Sequence, residues 1–298
     1  MQVLNFGSLN IDHVYTVGHF VAAGETLAAL DYKINAGGKG LNQSVALARA
    51  GVKTFHAGMI GRDGIFLKEV LESAGVNTEH TVVGELPSGH AVIQLEKDSA
   101  QNSILLYSGS NMSIPQDFMC SVLDSVPQGS WILLQNEIND IPFLICGAKK
   151  RKLKVAINPA PCTNAVKDYP LELCDLIMVN LIEASQLTGM ENDPYSAAAM
   201  LAEKFPDSEI VITLGGDGAL YRFKSEEIFV PAFPVEAVDT TGAGDTFTGF
   251  FLAAKLRGMG AEQAMKYASF AASVAVSRHG AAASIPSASE VFPADQNA

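Results

Sequence analysis

The stretch Asp239-Thr240-Thr241-Gly242-Ala243-Gly244-Asp245 stands between an apolar, β-prone run over residues 228–238 and a segment with helical periodicity. Phe247, Phe250, Phe251 and Ala254 recur at i, i+3, i+4 and i+7, which predicts a helix starting near Gly242 with its apolar face toward a core. The first turn of such a helix leaves backbone N–H groups without partners. These donors, with the positive end of the helix dipole, favour an anion. The glycines let phosphate oxygens approach the backbone closely, so the stretch reads as an anion cradle. Asp245 admits two readings within it. It is either a first-turn acid that complements the dipole, or the acceptor of a proton from a hydroxyl attacking a phosphoryl group held by the N–H groups of Gly242, Ala243 and Gly244.

Outward from this stretch, the pattern predicts strands over residues 3–6, 54–60, 131–134, 155–158, 176–180 and 210–214. Helical segments fall between most of them. One runs through Leu41, Val45 and Ala48 to Gly51, and another covers residues 65–74 and stops at Gly75. Apolar strands alternating with helices predict an α/β chain, doubly wound, with a mostly parallel central sheet flanked by helices. Residues 14–35 and 89–109 break the pattern with short alternating runs, such as 90–96 and 103–107 joined by a polar turn over 97–102. They predict a small, mostly antiparallel β-sheet lid inserted into a core made of residues 1–13, 36–88 and 110–298. A sheet with one open face should close over a ligand or pair with a second subunit. The polar tail, residues 287–298, is expected to fray.

The 298 residues are 48% apolar and 17% charged, which suits one large buried core and excludes a disordered chain. With 32 acidic and 20 basic side chains the formal charge is −12, so nucleic acid and anionic membranes are expected to be repelled. The one basic cluster, Lys149, Lys150, Arg151, Lys152 and Lys154, reads as the solvated end of a helix. Cys120, Cys146, Cys162 and Cys174 form no CxxC pair and have no histidine at metal-ligand spacing, so neither a disulfide nor zinc is expected. No secretory leader pattern opens the chain and no 18-residue apolar run interrupts it, which places the expectation in the cytoplasm.

Two further glycine-containing stretches precede the cradle: Gly7-Ser8-Leu9-Asn10-Ile11-Asp12 after the first strand, and Gly37-Gly38-Lys39-Gly40-Leu41-Asn42 opening a helix. Read alone, Asn10 and Asp12 are turn residues and Asn42 a solvated helix residue. The three stretches in this order resemble the ribokinase-like carbohydrate kinases, the PfkB family, and most closely its ribokinase branch. The resemblance extends over nearly the whole chain and favours the proton-acceptor reading of Asp245.

That resemblance implies an ATP-dependent sugar kinase. By position it implies a sugar held by Asn10, Asp12, Gly38, Lys39, Asn42 and Glu137, with Asp245 as the base. On the nucleotide side it implies Asn180 and Glu183 of an NxxE element, the latter organising magnesium and its waters. It also implies the turn Thr213, Gly215, Gly216 and Gly218, the helix start at Gly244, and Ser269 near the adenine. Without the resemblance, Glu183 reads as a solvated helix acid and Gly215-Gly216-Asp217-Gly218 as a plain turn. A potassium ion beside the cradle is implied, with contributions from Asp239, Thr241, Ala275, Arg278, Gly280 and Ser284, mostly through backbone carbonyls. A homodimer through the lid is implied as well.

D-Ribose is the leading acceptor, phosphorylated on its primary hydroxyl. Deoxyribose, fructose or a nucleoside are alternatives, although a nucleoside pocket should add stacking surface that the polar set lacks. A non-catalytic sugar or nucleotide sensor would not need Asp245 and the glycines, which are present. A nicotinamide-dependent dehydrogenase is disfavoured because no GxGxxG follows the first strand. His13, His19, Asn136 and the pair Asn35-Ala36 carry no assigned role.

Overall fold

The computed structural model describes residues 2–97 and 101–292. Its first half contains β1 (Gln2–Phe6), β2 (Asn10–Val17), β3 (Asp31–Gly37), α1 (Lys39–Arg49), β4 (Lys53–Ile60), α2 (Ile65–Ser73), β5 (Asn77–Val83), β6 (Gly89–Glu96) and β7 (Asn102–Tyr107). Next come α3 (Gln116–Ser125), β8 (Trp131–Gln135), α4 (Ile141–Lys150), β9 (Lys154–Asn158), β10 (Leu176–Asn180), α5 (Leu181–Thr188) and α6 (Pro194–Lys204). The remainder comprises β11 (Glu209–Thr213), β12 (Ala219–Phe223), β13 (Glu226–Val230), α7 (Ala243–Leu256), α8 (Ala261–Val276), α9 (Ala281–Ser284) and α10 (Ala288–Val291).

Among the described residues, nine strands form one sheet in the order β13-β12-β11-β10-β9-β8-β1-β4-β5. All are parallel from β11 to β5, and the hairpin β12–β13 is added antiparallel at one edge. Alternate residues of each strand feed opposite layers, as the two-residue repeat demands. Val3, Trp131 and Leu133 join α1, α2, α7 and α8 on one face, whereas Leu4, Phe6, Ile132 and Leu134 join the α3–α6 side. This is the doubly wound, mostly parallel sheet that the alternation of apolar strands and helices predicts.

The chain moves outward from β1 through β4 to β5, then returns to β1's other flank and proceeds through β8, β9, β10 and β11. Strand order therefore reverses between β1 and β8. In an open α/β sheet a ligand crevice forms at such a point, outside the carboxyl ends of the strands. Gly7 and Ser8 leave β1 there, Glu137 follows β8, and Asn158, Asn180 and Thr213 end β9, β10 and β11 on the same edge.

A second sheet, β3-β2-β6-β7, draws its strands from residues 10–17, 31–37, 89–96 and 102–107. β2 pairs parallel with β6, and the outer pairs β2–β3 and β6–β7 are antiparallel. The connection expected over 97–102 passes through residues 98–100, which lie outside the described residues.

Three local expectations need correction. The apolar run 228–238 stays in the sheet only to Val230, because Pro231 and Pro234 lack the N–H a strand ladder needs. β5 and β12 are not among the strands expected from the pattern, since neither presents a long continuous apolar run, and β13 coincides only with the start of the run 228–238. The tail does not fray from residue 287: Ser287 and Glu290 form a reciprocal capping box on α10, and the Phe292 ring stacks on Phe250 at 5.8 Å. Residues 293–298 lie outside the described residues.

Cys120, Cys146, Cys162 and Cys174 are free thiols. Lys149 and Lys150 end α4 as the dipole favours, with Lys149 paired to Asp175 at 2.9 Å. No described helix is long and apolar enough to cross a membrane.

Candidate active site

The Asp239–Asp245 stretch folds into a loop that enters α7 through Gly242, whose φ of 75° lies in the left-handed region. A Cβ there would stand 3.2 Å from Ala281 Cα, so conformation and space both call for glycine. Gly244 has open space where a Cβ would project. The Ala243 amide donates to the Thr240 carbonyl at 3.3 Å, while those of Gly242, Gly244 and Asp245 have no partner among the described residues.

A cavity of about 210 Å³ opens onto this helix start. Gly242, Ala243, Gly244 and Asp245 line it together with Lys39, Asn158, Asn180, Glu183 and Thr213. The carboxyl ends of β9, β10 and β11 thus supply one wall and α7 the other. Asn180 and Glu183 cap α5 reciprocally: Asn180 Oδ1 accepts from the Glu183 amide at 2.8 Å, and Glu183 Oε2 accepts from the Asn180 amide at 2.9 Å. One carboxylate edge is thereby pinned. Burial pushes the Glu183 carboxyl upward, against the Asn180 hydrogen bond and the Lys39 charge.

Asp245 is 7% exposed. Asn42 Nδ2 donates to its Oδ2 at 2.9 Å and Gln43 Nε2 to its Oδ1 at 2.8 Å. Burial raises its pKa, and Lys39, Asn42 and Gln43 oppose that rise. Burial also works against the Lys39 ammonium, but Asp245, Glu137 and Glu183 outweigh it and hold its pKa above the ordinary lysine value. The Lys39 ammonium and the Asp245 carboxyl thus share the cavity wall beside the unpaired amides.

The other half of the site forms where β1, β2, β3 and α1 meet. Gly40 packs on the backbone of Gly7 and Ser8, where a Cβ would fall 2.3 Å from Ser8 N. This close approach seats the α1 terminus on the end of β1. Glu137 accepts from Ser8 Oγ and from the Lys39 amide, the latter at 3.0 Å. Asp12 lies against Gly37, whose missing Cβ would sit 2.1 Å from Asp12 Oδ2. Burial, then the Glu137 charge, pushes the Asp12 carboxyl up to about 7. Asn10 Oδ1 accepts from Asn111 Nδ2 at 2.8 Å, which leaves the Asn10 N–H₂ group to donate. Asn42 Oδ1 is buried and has no partner among the described residues.

α1 joins the two halves. Its first amide holds Glu137, its Lys39 side chain reaches the cavity, and Asn42 touches Asp245. Gly38 turns the chain into α1 with φ 92°.

Of the sugar-side positions only Lys39 and Asp245 line this cavity; Asn10, Asp12, Gly38, Asn42 and Glu137 do not, nor do the remaining positions implied by resemblance. Gly215, Gly216 and Gly218 form the turn after β11; at Gly218 a Cβ would strike the Val230 carbonyl at 2.1 Å, so packing on β13 alone accounts for that glycine. Ser269 is buried on α8. Asp239 accepts from the Thr241 amide and from the Gly280 amide, each at 2.9 Å, tying the segment before α7 to the one before α9. Burial would raise its pKa, but these bonds hold it below the usual carboxylate value. Arg278 pairs with Glu290 at 2.6 Å, and Ser284 Oγ donates to the Ala281 carbonyl. Ala275 is buried near the end of α8, with its carbonyl accepting from Arg278 N.

Sequence reasoning missed Asn5, Ser8, Gln43, Asn111, Gln135 and Asn158. Asn5 sits inside a strand read as apolar and Gln135 just beyond the end of another, and nothing local marks their partners. Gln43 carries a faint signal: Asn42, Gln43 and Ser44 put three consecutive polar side chains around a helix that is buried from Gly40 to Leu47.

Residues 2–288 match the pfkB family carbohydrate kinase. The chain belongs to this family. It is an ATP-dependent carbohydrate kinase of the ribokinase type. The ribokinase of Haemophilus influenzae is 37% identical over 294 residues, covering 96% of this chain and 95% of that protein. The deoxyribokinase of Salmonella typhi is 35% identical over 298 residues, covering 96% of each. The structure of Arabidopsis thaliana ribokinase complexed with ribose and ATP superposes with a TM-score of 0.87 at 30% identity, covering 98% of this chain and 97% of that one.

Proposed function

We propose that this kinase transfers the γ-phosphoryl group of ATP to the primary hydroxyl of D-ribose, giving ribose 5-phosphate and ADP. One observation carries the reading. α1 holds Glu137 through the Lys39 amide and Asp245 through Asn42, and its Lys39 side chain lines the cavity beside Asp245 and the bare amides of α7, while Asp12 and Asn10 stand against Gly37 and Gly38 just ahead of it. The ribokinase complexed with ribose and ATP, similar along nearly the whole chain, supports it.

In this reading the two Asp12 oxygens accept from sugar hydroxyls, the Asn10 N–H₂ donates to one, and the orphaned Asn42 Oδ1 accepts from another. Asp245 takes the proton of the attacking hydroxyl while the oxygen–phosphorus bond forms and the bond to the ADP oxygen breaks. The amides at Gly242 and Gly244 and the Lys39 ammonium face the charge on the transferring group. The lid sheet excludes water and so limits ATP hydrolysis.

Magnesium fits the donor set: no cluster of three or more metal-ligating side chains exists among the described residues, and Glu183 offers one hard oxygen to a cation that keeps most of its waters. Such an ion would neutralise phosphate charge. Asp239 links the two segments on which a potassium ion would rest, so cation binding there would order the cradle. Thr213, Gly215, Gly216, Gly218 and Ser269 remain the candidates for the nucleotide side. The lid, residues 14–35 and 89–109, pairs with that of a second copy in this reading.

The Salmonella typhi deoxyribokinase, at similar identity, motivates 2-deoxyribose as the second reading. A coupled ADP-release assay over ribose, 2-deoxyribose, fructose and nucleosides decides between them. Buried groups built for hydroxyls penalise an analogue lacking one, so ribose should exceed 2-deoxyribose in kcat/KM by roughly 10²-fold or more. Equal or better use of 2-deoxyribose would establish the second reading.

A further inference from the structure

Beneath the cavity, between β1, β8, α1 and α7, lies a run of side-chain amides that the chemistry above leaves without a role. Asn5, Gln43 and Gln135 are fully buried, each 0% exposed. Asn5 donates through Nδ2 to the Gly40 carbonyl at 2.7 Å and to Ser44 Oγ at 2.8 Å. Its Oδ1 accepts from Gln135 Nε2 at 2.9 Å, and Gln135 Nε2 also donates to Gln43 Oε1 at 2.6 Å. Gln43 Nε2 then faces Asp245 Oδ1 at 2.8 Å and Asn158 Oδ1 at 3.1 Å. Asn158 in turn donates through Nδ2 to the Met178 carbonyl at 2.8 Å.

A carboxamide has a donor end and an acceptor end, and only the hydrogen-bond network tells which way it points. Here two backbone carbonyls decide. The Gly40 carbonyl only accepts, so Asn5 must present its oxygen to Gln135, Gln135 its nitrogen to Gln43, and Gln43 its nitrogen onward. The Met178 carbonyl only accepts, so Asn158 must present its oxygen to Gln43, which again requires the Gln43 nitrogen. Turning the Gln43 amide over would set its oxygen against both Asp245 and Asn158 and its nitrogen against that of Gln135.

We propose that Gln43 is a positioning residue for the reaction: the amide run, anchored on the Gly40 and Met178 carbonyls, turns an N–H donor onto Asp245 and holds that carboxylate ionised and aimed at the sugar hydroxyl. The inference rests on the reading of Asp245 as proton acceptor. Gln43 is fully buried and its amide is taken up by Gln135, Asn158 and Asp245, so it acts through Asp245 rather than on a substrate. The other groups facing Asp245 are the neutral Asn42 and the Lys39 ammonium of α1, with the Glu137 and Glu183 carboxylates in electrostatic reach. Burial raises the Asp245 pKa, and Lys39, Asn42 and Gln43 are the groups that oppose that rise.

The test is the pH dependence of kcat at saturating ribose and ATP for Gln43→Met and Gln43→Glu, with folding checked by thermal melting. Loss of a hydrogen bond to a charged acceptor should move the acid limb upward by about one pH unit in Gln43→Met. Gln43→Glu, which sets a carboxylate beside Asp245, should move it further. kcat should recover above the limb, and the KM for ribose should stay near wild type. If Gln43→Met does not fold, Gln43→Asn keeps an amide in the core but is too short to reach from Gln135 to Asp245, and should show the same shift. Folded variants with an unmoved acid limb would overturn the inference. Asp245→Asn, measured in parallel, separates the failures: near wild-type kcat there removes the base reading and this inference together. An inactive Asp245→Asn beside unmoved limbs removes the role of Gln43 alone.

Discussion

Asp245 has its roles divided among neighbours that each supply one physical effect: Lys39 a charge, Asn42 and Gln43 hydrogen bonds, and α7 the unpaired amides. Asp245→Asn is nearly isosteric and removes the base, with its one remaining acceptor oxygen able to serve only one of the two amide donors. It should lower kcat by roughly 10² to 10⁴ with sugar affinity changed far less. Steady-state kinetics with calorimetric ribose titration checks this, and a variant at near wild-type rate would sink the role. Asp12 belongs to the same scale. Its carboxyl is raised by burial and by Glu137 to about 7, and only its ionised form accepts charge-assisted bonds from two hydroxyls. Ribose affinity should therefore tighten as pH rises through about 7, with proton release on binding below that value. In the sugar-free protein the sign for stability is opposite: the Asp12 contribution is full below its unfolded pKa of about 4 and fades as pH rises through the folded value. Calorimetry from pH 5.5 to 8.5 should show the affinity trend in wild type and lose it in Asp12→Asn; a flat wild-type profile would refute it. Asn10 and Asp12 were singled out through the family resemblance alone, since their place after β1 reads only as a turn. Asn111, which fixes the orientation of Asn10, was not, since its partner lies 101 positions away.

Between elements, the decisive contact is the crossing of α1 and α7, because it carries Asn42 and Gln43 against Asp245. Gly249 makes the approach possible: a Cβ there would lie 2.4 Å from Ala46 Cβ and 3.0 Å from Leu47 N. A glycine inside a helix ordinarily costs about 1 kcal/mol relative to alanine, so its presence in α7 reflects this packing. Gly249→Val should destabilise the fold by about 2 kcal/mol through overpacking. It should also lower kcat more than ribose affinity, as Asp245 is pushed away from its two amides. Urea unfolding and kinetics of the same preparation test both; unchanged stability would show that the crossing yields. Helix periodicity revealed α1 and α7 separately, but not that they cross at Gly249. The α10 capping box was readable as Ser287-x-x-Glu290 and was passed over because the surrounding composition is polar.

At the level of the whole molecule, the reversal of strand order between β1 and β8 gathers loops from distant parts of the chain onto one edge, and the four-stranded sheet rises from that edge at Asn10 and Gly37. β7 is exposed along its whole length, with Leu105 72% and Ile104 58% accessible, and β3 carries Ile34 at 52%. An edge strand of this kind invites pairing. A second copy is the proposed occupant, and sedimentation velocity should report a dimer that Leu105→Lys shifts toward monomer. A wild-type monomer at all concentrations would end that proposal. The net charge of −12 is consistent with a small-molecule enzyme but says nothing about which sugar enters.

What the order of residues determined alone was encoded within a few positions: the types of most strands and helices, the glycine turns at 37–40 and 242–244, the acid following the second of them, and through their order the family. Such features follow from backbone sterics and short periodicities, which neighbours in sequence are enough to specify. The tertiary structure decided what those pieces touch. Gln43 meets Asp245 across 202 positions, and the direction in which its amide points is set by the carbonyls of Gly40 and Met178 through Asn5, Gln135 and Asn158. Hydrogen bonds between buried groups carry no periodicity along the chain, so their pairing and polarity exist only once the sheet and helices have closed around them.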